Sequence, residues 1–208
     1  MTTFFDEAMK CSCCGHNFEV TALGSSNAFG PGDLDTRPPE MLRSTMMHWI
    51  HICPECGFVN LRHEEDNSDM LKYMRSDDYR TCEGYRLEGL AAGFYRRGLI
   101  ETEKNDPDSA MMSFLRAAWC FDDMGDDEKA DICRDRAVTA AEDIESPDCE
   151  QLLILADMYR RMGRFFEFTD MYPDLSFSDE NMQTILEAQK KLADTHDYGC
   201  HNIGEFIK

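Results

Sequence analysis

Basic charge is scarce in this chain. Lys and Arg number 21 against 41 Asp and Glu over 208 residues, a formal net charge of -20 at pH 7. That balance excludes broad electrostatic attraction to phosphate backbones or anionic lipid, because both partners would be negative. Residues 1–60 carry seven acidic and three basic side chains, a net of -4, and the remainder carries -16. Neither part offers the basic footprint of a nucleic-acid binder. Long apolar runs are also lacking; none approaches the roughly 20 residues of a membrane span. Met1–Lys10 has neither the basic stretch nor the apolar run of an export signal, so a cytoplasmic chain with no membrane partner is expected. A nucleophile elbow, a phosphate loop and a paired acid–base site are missing too, and the sequence reads as non-enzymatic.

Cysteine is present in quantity, with ten in all. With no export signal, metal spacing is the first thing to look for. Four cysteines form two knuckles, Cys11-Ser-Cys-Cys14-Gly15 and Cys53-Pro-Glu-Cys56-Gly57. Two thiolates on one tight turn grip a single ion, and a glycine after the second relieves the φ > 0 position that such a turn needs. Two knuckles supply a tetrahedral four-sulfur set, which suits one zinc per chain. Iron in a rubredoxin-like site is the alternative, since C-P-x-C-G serves that chemistry as well. Cys13 is left as a spare thiol, able to replace a neighbour or to sit exposed beside the site. His16, His48, His51 and His63 lie near the module but read as surface or supporting groups, because four cysteines already fill the shell. Cys82, Cys120, Cys133, Cys149 and Cys200 fall in helical pattern and read as small buried hydrophobes. His196 and Cys200 are spaced to share a helix face.

The fold class expected is mainly α, with a small β zinc ribbon over residues 1–63 and a tetratricopeptide-like helical array over 68–208. Strands are expected at Phe18–Ala22, Met46–Ile52 and Phe58–Val59, with a Gly- and Pro-rich loop over Gly24–Pro39. Past the polar hinge at Glu64–Asp69 the chain reads as helix. Asp106-Pro107, Ser146-Pro147-Asp148 and Ser178-Asp-Glu mark helix starts, and Gly98, Gly125 and Gly163 mark ends. The same spacing precedes each glycine: Leu87, Leu90, Ala91, Phe94; then Phe114, Ala117, Ala118, Phe121; then Leu152, Leu155, Ala156, Tyr159. A bulky residue, a close-packing alanine and an aromatic on one face match the first helix of a tetratricopeptide-like repeat.

Cys11-x-x-Cys14-Gly15, Gly32-Asp-Leu-Asp35 and Cys53-Pro-Glu-Cys56-Gly57-Phe58, followed by acidic helical repeats, together resemble domain-of-unknown-function family 2225. The resemblance implies a prokaryotic protein with a zinc-ribbon head, ligands Cys11, Cys14, Cys53 and Cys56, and a tetratricopeptide-like body. It implies no activity. The functional expectation is a zinc-binding protein–protein interaction module or adaptor. Its counterpart in another class is a redox or electron-transfer protein with iron at the four cysteines. If the repeats stack, Tyr95, Arg96, Trp119, Arg160 and Arg161 line an inner groove suited to an acidic peptide, because arginine pairs bidentately with carboxylates.

Overall fold

The structure is a computed structural model that describes residues 1–207, apart from the side chains of Thr81 and Cys82. The expected burial of Cys82 therefore lies outside the described residues. The strands are β1 (Thr3–Lys10), β2 (Asn17–Ser25), β3 (His51–Ile52) and β4 (Val59–Asn60). The helices are α1 (Glu40–Arg43), α2 (Met70–Tyr73), α3 (Thr81–Gly84), α4 (Gly89–Glu103), α5 (Pro107–Met124), α6 (Asp127–Ala141), α7 (Cys149–Arg161), α8 (Phe165–Met171) and α9 (Glu180–Asp194). The chain is thus mainly helical, with small antiparallel strands near the N-terminus. It divides into two compact units, one of residues 1–27 and 41–140, the other of residues 28–40 and 141–208. This cut differs from the compositional one near residues 63–68.

In the first unit, β1 and β2 form a hairpin running from Thr3 opposite Ser25 to Lys10 opposite Asn17. β3 and β4 form a second, shorter one, with His51 opposite Asn60 and Ile52 opposite Val59. The stretch 46–52, expected as one strand, instead opens with a turn of 3-10 helix at Met46–His48. The Thr45 hydroxyl fixes that turn. It donates to the Leu42 carbonyl at 2.7 Å and accepts the Trp49 indole N–H at 2.9 Å. Trp49 then meets Phe94 edge-on, and Ile50 packs so closely on α4 that a Cβ on Gly93 would stand 2.7 Å from its Cδ1. The β3–β4 hairpin is thereby seated on α4.

The long helices start and stop for local reasons. Asp106 caps α5 through the Ser109 N–H, Pro107 occupies its first turn, and Gly125 ends it at φ 67°. Asp148, two residues beyond the expected Ser146, caps α7 with Gln151 as a capping box, and Asp179 caps α9. Gly163, just after α7, also has positive φ. Gly98 departs from expectation. It lies inside α4, where a Cβ would stand 2.6 Å from the Phe114 ring of α5. Its role is close approach, and the helix ends at Glu103. The predicted alanines Ala91, Ala118 and Ala156 are fully buried, as a packed face requires. A tetratricopeptide-like array is nevertheless not shown. One of the three aligned glycines does not end its helix, and the third copy belongs to the second unit.

In the second unit α7 packs on α8 and α9. Leu34, Leu153 and Ile185 form its core cluster, joined by Phe177, Ile203 and Phe206 among others. Leu34 comes from the long Gly- and Pro-rich loop. That loop pairs with the C-terminal segment: Leu34 N–H donates to the His201 carbonyl, Ile203 N–H to that of Gly32, and the Asn202 amide to that of Pro31. Glycine at 32 is required by space, because a Cβ there would stand 2.7 Å from the Arg37 carbonyl oxygen.

Candidate metal centre

Each cysteine knuckle is the turn of its own hairpin. Residues 11–16 join β1 to β2, and residues 53–58 join β3 to β4. The two turns use the same hydrogen bonds. Cys11 N–H donates to the His16 carbonyl at 2.8 Å and Gly15 N–H to that of Cys11 at 2.9 Å. In the second, Cys53 N–H donates to the Phe58 carbonyl and Gly57 N–H to that of Cys53, both at 2.9 Å. Gly15 and Gly57 stand at φ 75° and 76°, the left-handed conformation expected of them.

This repeated geometry brings four sulfurs together. Cys11 Sγ lies 3.7 Å from Cys56 Sγ, and Cys14 Sγ lies 3.7 Å from Cys53 Sγ. All four fall within 4.8 Å of one another. A tetrahedron with metal–sulfur bonds of about 2.3 Å has edges of about 3.8 Å, so the donor set fits one tetrahedral ion. Among the described residues this is the one group of three or more candidate ligand side chains that does so.

The sulfurs are electrostatically unequal. Burial raises the Cys11 thiol, but the N–H groups of Cys14 and Cys13 and the neighbouring thiols outweigh it and lower its pKa to about 7. Cys56 is pushed well up, first by burial and then by sharing protons with Cys14 and Cys11. The His16 N–H holds Cys14 down, yet burial and the thiols of Cys53 and Cys11 leave it raised. Four thiolates so close together require a cation to be ionised at once.

Cys13 is not exposed. It is buried, donates to Met74 Sδ at 3.9 Å, and is raised to about 11 by burial and by Cys11. It stands outside the four-sulfur group. The histidines also stand outside. His16 stacks on Phe18, His48 Nδ1 contacts the Thr21 carbonyl at 2.8 Å, His51 is buried with its pKa lowered by that burial and by His48, and His63 is exposed.

The groups that fasten the two knuckles together were not identified from sequence. Asn60 is buried; its Oδ1 accepts from the N–H and hydroxyl of Ser12, and its Nδ2 donates to the His51 and Phe58 carbonyls, all at 3.0–3.1 Å. One amide thus ties the first turn to the second hairpin. Asn67 adds a donation to the Ser12 hydroxyl and takes the Ser12 carbonyl on its own N–H. Arg97, buried in α4, donates to the Val59 carbonyl at 3.0 Å and pairs with Glu64 at 2.6 Å and with Glu101. It anchors the second hairpin to the helix.

The expected groove residues fare differently. Tyr95, Trp119 and Arg160 are 0%, 2% and 0% exposed, so none lines an open surface. Tyr95 meets Phe114 edge-on at 5.1 Å. Arg160 is consumed internally, donating to Asp157, Gln189 and the Asp197 carbonyl at 2.6–2.7 Å. Arg161 is half-buried, 3.8 Å from Asp35, and Arg96 is half-exposed. The outlying cysteines divide as well. Cys133 is buried and Cys120 half-buried, whereas Cys149 opens α7 exposed and Cys200 is exposed beyond α9. α9 ends at Asp194 and His196 takes φ 56°, so His196 and Cys200 share no helix face.

Among the described residues no helix is long and apolar enough to cross a membrane. Comparison with protein-family models, curated proteins and solved structures yields no match.

Proposed function

We propose that the chain is a zinc-binding interaction module. The observation that carries this reading is the closed set of four sulfurs at tetrahedral spacing on two matched turns. With four protein donors no coordination position is left for a substrate, so the ion's work is folding energy. Zinc at Cys11, Cys14, Cys53 and Cys56 would hold the two hairpins as one body, and the helical part would present a surface to a protein partner. The need for reduced thiols suits a cytoplasmic protein. The likeness to family 2225 in the knuckles and in Gly32-Asp-Leu-Asp35 is part of the same proposal.

Four sulfurs at this spacing also accommodate iron, which would make the chain a redox or electron-transfer protein. Elemental analysis and a visible spectrum of the purified native protein separate the two. One zinc per chain and no colour is the expected result. Iron with thiolate charge-transfer bands would overturn the structural-zinc reading, as would protein that folds without metal. Affinity capture from the native host tests the partner half, and a well-folded bait that returns nothing above background counts against it.

A further inference from the structure

A hollow of about 510 Å³ opens beside the metal centre, with Cys14 and Cys56 on one wall. Three arginines line it: Arg75 and Arg80 from the segments around α2 and α3, and Arg96 from the middle of α4. Among the described residues none of the three makes an ion pair, whereas Arg62, Arg97, Arg134, Arg160 and Arg164 all do. In a chain with about two acids for each base, three uncommitted guanidiniums in one concavity are conspicuous. A helix dipole does not account for Arg96, which sits mid-helix, away from the terminal carbonyls. Glu55 and Glu83 also line it, so apart from the cysteine ligands the bases of the hollow outnumber its acids by three to two, whereas over the whole chain acids outnumber bases about two to one. Leu71 and Met74 add apolar surface to the lining, and Met74 Sδ also contacts Cys13 of the first knuckle at 3.9 Å.

We propose that this hollow binds an acidic, partly apolar peptide segment of a partner protein. The inference rests on the interaction-module reading and gives it a site. Arginine takes carboxylates in bidentate fashion. Methionine conforms to varied apolar side chains. The volume is that of a pocket for several side chains rather than for a lone ion. The rival explanation is internal: a divalent ion with four thiolates has a net charge of -2, which arginines nearby would offset.

The test uses the full-length metal-loaded chain and a fluorescein-labelled octapeptide alternating glutamate and leucine, with a glutamine-for-glutamate peptide as control. Fluorescence anisotropy is expected to show micromolar binding of the glutamate peptide that weakens with added salt. The Arg75→Gln/Arg96→Gln variant and the control peptide should each bind at least about tenfold more weakly, with metal content unchanged. Arg75→Gln alone, at an exposed position, carries the same comparison if the double variant is unstable. Failure of the glutamate peptide to bind at about 1 mM, or equal affinity for the variant, overturns the proposal. So does loss of the metal from the variant with peptide binding retained. If native capture returns the same partners with wild-type and variant baits, the hollow is wrong and the module reading stands. If wild-type bait returns none, the module reading itself fails.

Discussion

Replacing Gly98 with alanine sets two effects of opposite sign against each other. Gly98 has ordinary helical backbone inside α4, so alanine should gain about 1 kcal/mol in helix propensity. The new Cβ, however, would stand 2.6, 2.7 and 2.8 Å from three carbons of the Phe114 ring. Carbon pairs rest at about 3.5–4.0 Å, so the overlap is close to 1 Å at three atoms together. The ring has little room to retreat. Phe114 is 1% exposed, faces the Tyr95 ring edge-on at 5.1 Å, and lies 5.5 Å from the Arg136 guanidinium. Overpacking of this kind costs about 1–3 kcal/mol, and a pinned ring favours the upper half of that range. The net expectation is a loss of about 1–2 kcal/mol, or roughly 3–8 °C in Tm. Urea unfolding followed by tryptophan fluorescence suits the measurement, because both tryptophans, Trp49 and Trp119, belong to the first unit. Phe114→Leu should relieve the clash, so alanine at 98 should cost less in that background than alone. A glycine that merely ended a helix would show no such coupling. Neutral or raised stability in Gly98→Ala, or strict additivity with Phe114→Leu, refutes the close-approach argument.

Two further outcomes follow from other contacts. Asn60→Ala removes the amide that bridges the knuckles and should cost about 2–3 kcal/mol in the same fluorescence assay and weaken metal retention against a chelator by about 10–100-fold; unchanged retention sinks the bridging role. In the second unit burial works against charge on His201, but the carboxylates of Glu205 at 3.0 Å and Asp197 at 3.2 Å outweigh it and raise its pKa. The raised His201 should stabilise this unit fully below about pH 6.5 and lose that contribution as pH rises through the folded value. Asp197 is lowered chiefly by His201, and Glu205 by the Asn202 N–H and then His201, so their contributions are present above their ordinary values of 3.8 and 4.5 and fade as pH falls through the lowered ones. Histidine NMR titration is the direct check, and a His201→Gln variant that keeps the same stability-versus-pH slope near neutrality would contradict the assignment.

The metal centre was legible because its determinants are local. C-x-x-C-G encodes both donors and the left-handed glycine within five residues, and the two copies then need only to meet. The helix starts at Asp106-Pro107 and Ser178-Asp-Glu were legible for the same reason. β1 was not. Its eight residues are almost all exposed, so no period of two betrays it. It is held instead by the ladder and by pairs such as Thr21 with Asp6 at 2.8 Å, which exist only once the partner strand is known.

Three of the five expected groove residues, Tyr95, Trp119 and Arg160, are buried for a related reason. Counting from an aligned aromatic places a side chain on a helix face but does not say what covers that face. Arg134 and Arg160 show how a cation becomes interior. Arg134 meets Asp122 at 2.6 Å across two helices, and Arg160 meets Gln189 and the Asp197 carbonyl across 29 and 37 residues of chain. A buried guanidinium is tolerable only where such acceptors converge, and removing one partner is costly because the charge stays behind. An arginine whose partners are distant in sequence looks, residue by residue, like one free to bind a ligand. The distinction comes from asking where each guanidinium's hydrogen bonds go. That question withdraws Arg160 from the candidate surface and singles out Arg75, Arg80 and Arg96 beside the knuckles.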